Sequence, residues 1–387
     1  MTNLSTHLLH LLSSPAIHTL STSQSPSPNP TQLHALGLAS FAGELLQVFD
    51  DVRLGIDGDA RGDGLKAVRE GLVSVVNRVV NPLVAGIRNE LILLIDQLEN
   101  PPAKSTTKSK SHPSILALHA IIPLYSRLLS RYTTTPTSQT TLASFFITLV
   151  WRGLLALSQR PFQSPSPPPS PSPTPTSWSL KRYSSPPSDN HPSTTPPPPP
   201  NKFVIKNSSP SRPMSPLCLQ APSTAASDAR SLYDLLSLLP RPAADVETTR
   251  LAREAVDEAF DGLRAFLTFL EAIQSTSALS ADPEKLNHEE VASEFVTLTA
   301  DLPTLIALPP LLRAYGLNTP TVAAMLALSE AEYRKACLAG FGRAEECADA
   351  VGLRVLDILQ SNSTTICGDI MIVIKWLEME LGTTIDD

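Results

Sequence analysis

Between Pro161 and Ala226 the chain loses the patterning a core requires. These 66 residues hold 20 of the 37 prolines and 15 serines, in runs such as Pro196 to Pro200. Proline fixes φ and removes a backbone donor, so a stretch this rich in it reads as an extended, solvated linker. A polyproline-like segment can be bound, but it presents no converging side chains for catalysis. The fold must be built from the roughly 160 residues on either side, within the usual range for a domain.

Both flanks carry the three- and four-residue apolar spacing of amphipathic helices, and strand-like alternation is scarce. The expected fold class is all-α: two helical bundle or solenoid-like segments separated by a long disordered Pro/Ser-rich linker. The expected boundaries are a disordered segment over 1–30, a helical domain over 31–160, the linker over 161–226, an acidic helical domain over 227–382 and a tail over 383–387. In the first half, helices are predicted from Gln32 to Leu54, from Leu65 to Leu98 with a kink or break at Pro82, over Ile115–Arg131 and over Ser138–Arg160. In the second half they are predicted over Ser231–Leu239, Ala244–Gln274, His288–Leu298, Leu311–Tyr315, Arg343–Gln360 and Asp369–Leu381. A further helix opens at Ser329, where Ser329 and Glu332 have capping-box spacing. His119 falls on the apolar side of its helix and is expected to be buried and hydrogen-bonded.

Charge separates the halves. Residues 1–160 carry 13 basic against 10 acidic side chains, the linker 5 against 1, and residues 227–387 carry 12 against 26. An acidic second half and a nearly neutral first half argue against nucleic acid as a partner. The four cysteines, Cys218, Cys337, Cys347 and Cys367, lack metal-ligand or disulfide-framework spacing and read as buried, reduced thiols, which fit a cytosolic or nuclear compartment; a cytoplasmic protein is the expectation. The longest uninterrupted apolar runs, Leu142–Trp151 and Ile370–Ile374, fall well short of the roughly 20 residues that cross a bilayer, so no transmembrane segment is expected. No pattern calls for a cofactor.

The sharpest local motif is Asp59 to Glu70, which places Asp59, Asp63 and Glu70 at positions 1, 5 and 12 of a calcium-binding loop and Gly64 at position 6. Arg61 occupies a ligand position and Lys66 an aliphatic one, so a solvated loop between helices competes with a weak metal site. A helical calcium-binding protein or helical enzyme centred on this loop is the alternative function. The main expectation is a non-enzymatic scaffold whose helix faces dock protein partners. Its contact stripe would be Phe41, Phe49, Val52, Val75 and Val79, unless these form the core between the first two helices. In the linker nine Ser/Thr-Pro pairs, at Ser164, Ser166, Ser170, Ser172, Thr174, Ser185, Thr195, Ser209 and Ser215, are candidates for a proline-directed kinase. The P-x-x-P spacings suit an SH3 or WW groove.

Residues 36–80 carry a resemblance. Leu38-Ala-Ser-Phe41, then Leu45-Leu46-Gln-Val-Phe49-Asp-Asp-Val-Arg-Leu54, followed by a second amphipathic helix, resembles the Dor1 family, the eighth subunit of the conserved oligomeric Golgi tethering complex. The resemblance implies a non-enzymatic, peripheral role at the Golgi in vesicle tethering, exercised through helix-helix contacts with sister subunits.

Overall fold

A computed structural model describes residues 28, 30–55, 63–101, 111–161, 224–245, 247–279, 287–316, 319–361 and 369–382. The expected linker, with its nine phosphorylation candidates, lies outside the described residues except at its ends. Among those described, all regular structure is helical: α1 (Pro30–Asp51), α2 (Asp63–Asp96), a 3-10 turn (Gln97–Glu99), α3 (Pro113–Tyr132), α4 (Pro136–Gln159), α5 (Ala225–Ser237), α6 (Glu247–Leu279), α7 (His288–Thr299), α8 (Thr304–Tyr315), α9 (Val322–Met325), α10 (Glu330–Cys337), α11 (Phe341–Ser361) and α12 (Ile370–Glu380).

The helix starts follow from local chemistry. The Thr135 hydroxyl accepts from Ser138 N ahead of α4, and Thr224 accepts from Ser227 N ahead of α5. At α10 the capping box is complete: Ser329 Oγ accepts from Glu332 N while Glu332 Oε2 accepts from Ser329 N at 3.0 Å, satisfying two donors that a helix start leaves open. His112 caps α3, with Nδ1 accepting from Ser114 N (3.2 Å) and Nε2 donating to Asn100 O (2.9 Å). That pairing fixes the tautomer.

Three expectations need correcting. Of the kink or break expected at Pro82 the break does not occur, and α2 runs through it for 34 residues. Val79, Val80, Leu83 and Val84 on both sides of it are buried, and tertiary burial on that scale outweighs the roughly 3 kcal/mol a mid-helix proline costs. His119 is exposed; the buried stripe of α3 is Ile115, Leu118, Ile122, Tyr125 and Leu129, and His119 stands on its shoulder. α5 begins at Ala225, inside the stretch assigned to the linker, because Ala226 and Ala229 are buried, and alanines are weak signals in a hydrophobic pattern.

The helices on both sides of residues 162–223 belong to one compact unit with one continuous core. Its centre is α4, packed by α2, α5, α6 and α8. Phe145, Phe146, Leu149, Val150 and Leu154 are fully or almost fully buried. By length and composition α4 would pass for a membrane span, with mean hydropathy 1.6, a property hidden from the uninterrupted runs by its scattered hydroxyls. Here 67% of that window is buried inside the protein. Among the described residues the other helices are too short or too polar for that test.

Polar pins join the N-terminal helices to the C-terminal ones. Arg160, at the end of α4, forms an ion pair with Asp228 in the first turn of α5, both side chains almost wholly buried. Arg313 of α8 donates from Nη1 to Ser158 O and Arg160 O, each at 2.6 Å, closing carbonyls that the end of α4 leaves open. Burial pulls the Arg313 guanidinium down to about 10. Trp151 Nε1 donates to Cys337 O at 2.9 Å, and its ring lies 4.5 Å from that of Phe341.

Candidate functional site

Eight of the 26 acidic side chains after residue 227 gather at one place. A cleft of about 970 Å³ opens where α6, the α7–α8 turn, α11 and α12 meet the flank of α4. Its floor is apolar, from Ile147, Ala259, Leu302, Pro303, Phe341 and Leu381. Its walls carry eight carboxylates, Glu254, Asp257, Glu258, Asp261, Asp301, Glu345, Asp349 and Glu380, and no Lys, Arg or His.

Helical spacing explains the α6 wall. Glu254, Asp257, Glu258 and Asp261 recur at three and four residues and share one side of the helix, while Val256, Phe260 and Leu263 turn to the core. Three of the eight carboxylates are engaged by cations outside the lining. Glu254 pairs with Arg250, Asp257 with Arg241 (2.6 Å) and Arg253 (2.7 Å), and Asp261 with Arg264 (3.3 Å). Burial pushes the Asp257 carboxyl up, but the two guanidinium groups outweigh it and hold it below its ordinary value. The remaining five, Glu258, Asp301, Glu345, Asp349 and Glu380, form no ion pair among the described residues. Glu380 is half-buried, and burial raises its carboxyl above the ordinary glutamate value.

The arrangement suits an extended cation better than a metal ion. Among the described residues no three His, Cys, Asp or Glu side chains converge closely enough to hold a metal. The carboxylates ring the cleft instead of meeting at a point, and an apolar floor suits the methylene stems of Lys or Arg. Pockets of this size with an apolar base and a few directed polar groups are the common form of a binding site.

The residues singled out from the sequence lie elsewhere. Phe41 and Val52 are exposed on or just past α1, at 58% and 53%, and Phe49 is half-buried. Val75 and Val79 are in the core of α2, so the five do not make one surface. Asp59 lies outside the described residues. α2 begins at Asp63 and continues past Glu70, which is exposed; seven residues of helix separate the two by about 10 Å along the axis. Cys337 is a buried free thiol, raised by burial, and Cys347 is a half-buried one. Cys218 and Cys367 lie outside the described residues.

The cleft was beyond sequence reasoning because its walls come from four separated segments. The only trace was the excess of acid over base after residue 227. No family model matches the chain, and no curated protein or solved structure is similar to it.

Proposed function

We propose that this chain is a non-enzymatic helical scaffold whose acidic cleft docks a Lys/Arg-rich segment of a protein partner. The observation that supports it is the set of five carboxylates that have no counter-ion among the described residues, around a concave, apolar-floored site. Like charges gathered at the rim of a low-dielectric cleft repel one another and focus a negative potential. A cationic segment relieves the repulsion and is steered in by the field. Phosphorylation of the linker, where it occurs, would reverse the sign of a segment that now carries 5 basic and 1 acidic residues. A cytoplasmic place in a vesicle-tethering assembly is the narrower form of this reading, and it rests on the resemblance of residues 36–80 alone.

The test is fluorescence anisotropy with a labelled Lys/Arg-rich peptide of about eight residues, titrated with the full chain at low and at physiological salt. Binding that weakens with salt and drops at least about tenfold in a Glu258→Lys/Asp349→Lys variant supports the reading. No binding at low salt, or equal binding by the variant, overturns it. Preference for spermine over the peptide would replace a protein partner with a small polycation.

A further inference from the structure

α1 has two apolar sides, and the core uses only one. Ala35, Leu36, Ala39, Ala42 and Leu46 are buried, whereas Phe41 and Val48 stand 58% and 53% exposed on the opposite side. Along the outer side, six residues recur at alternating steps of four and three: Pro30, His34, Gly37, Phe41, Glu44 and Val48. All six are exposed. The spacing is that of a coiled-coil seam, with Pro30, Phe41 and Val48 as its apolar members.

The seam is complementary to itself in one orientation. From these positions we infer that α1 pairs antiparallel with α1 of a second copy, about a two-fold axis at Ala39. That axis sets Pro30 beside Val48 of the second copy, His34 beside Glu44 of the second copy, and Gly37 beside Phe41 of the second copy. Each layer then combines unlike residues: ring with branched aliphatic, imidazole with carboxylate, and the largest side chain of the seam with none. Gly37 is the hole for the Phe41 knob; a Cβ added there would meet nothing within 4 Å in the single copy, so the fold of one chain has no need of a glycine there. A parallel pairing would set Glu44 against Glu44 and leave Gly37 opposite Gly37, an unpaired charge and a void. Two-fold pairing of one patch with itself is the usual form of a closed dimer.

α1 is about 33 Å long, and three such layers, each occurring twice, bury less than the roughly 800 Å² per partner of a standard interface. The dimer is therefore weak, with a Kd in the micromolar range. The inference does not depend on the cleft, which lies on other helices.

The experiment is sedimentation velocity on the full chain from about 1 to about 200 μM, a span that brackets such a Kd. A concentration-dependent shift from monomer to dimer is expected. Gly37→Leu fills the hole while improving helix propensity; it should weaken the dimer at least about tenfold and leave the monomer's melting temperature equal or higher. Glu44→Lys should also weaken it, and adding His34→Glu should restore it by setting a carboxylate against the new lysine within the layer. A monomer at every concentration would assign this side of α1 to another occupant, such as residues 1–27 or a partner's helix, and would overturn the inference. A dimer indifferent to Gly37→Leu would overturn it equally.

Discussion

Removing Asp228 should be among the most damaging single changes open to this protein, although this residue does not line the cleft and is not a large apolar side chain. Its carboxylate and the Arg160 guanidinium are 1% and 3% exposed, and among the described residues the Arg160 side chain has no other ion-pair partner. Asp228→Ala leaves the guanidinium buried and unpaired. Breaking a buried pair from one side costs about 3–5 kcal/mol, whereas an exposed pair is worth about 0–1 kcal/mol. For a folded unit of this size each kcal/mol moves the melting temperature by about 2 °C, so the expected drop is about 6–10 °C. Far-ultraviolet circular dichroism against temperature and urea measures it, and the shift should persist at high salt because the pair is shielded from solvent. Arg160→Met combined with Asp228→Leu should recover most of the loss, since replacing both charges removes the cost of burying either. A single variant within about 1 kcal/mol of the parent in the urea titration would show that the pair is hydrated and the reasoning false.

Gly153 lets α5 approach α4: a Cβ there would stand 2.6 Å from Leu232 Cδ2, a fully buried side chain with little room to turn away. Gly153→Ala should therefore destabilise by about 1 kcal/mol net of its better helix propensity, while Gly86→Ala, with open space around it, should stabilise by about 0.5–1 kcal/mol in the same denaturation assay. Glu380 tests the electrostatics of the cleft. Its folded value lies above the ordinary 4.5, so the stability it contributes is present when it is protonated, below that value, and is lost as pH rises through the raised one. Glu380→Gln should consequently raise the melting temperature at pH 7 and change it little at pH 4; an equal effect at both would remove burial of the charge as the cause.

The helices were legible because their signals are local. The apolar spacing of α6, Val256, Phe260, Leu263, Phe266 and Ile273, and the Ser329/Glu332 capping pair each lie within a few turns, and both were read correctly. What escaped depends on contacts between distant residues. Whether Pro82 ends a helix is decided by how much is buried around it, and whether Val75 and Val79 face a partner or the core is decided by α1 and α4. The cleft needs Glu258, Asp301, Asp349 and Glu380 to converge, and their spacing along the chain is irregular.

The central position of α4 has a consequence for synthesis. The helix that covers its far side, α6, ends about 120 residues after α4 does. At about 5–20 residues per second, some 6–24 s pass between the ribosome releasing one and the other. Throughout that interval α2, made earlier, can cover part of α4, but the part that α6 packs against stays open. Apolar surface left open during synthesis is what chaperones bind, so the order of the helices in the chain sets how long α4 depends on such protection.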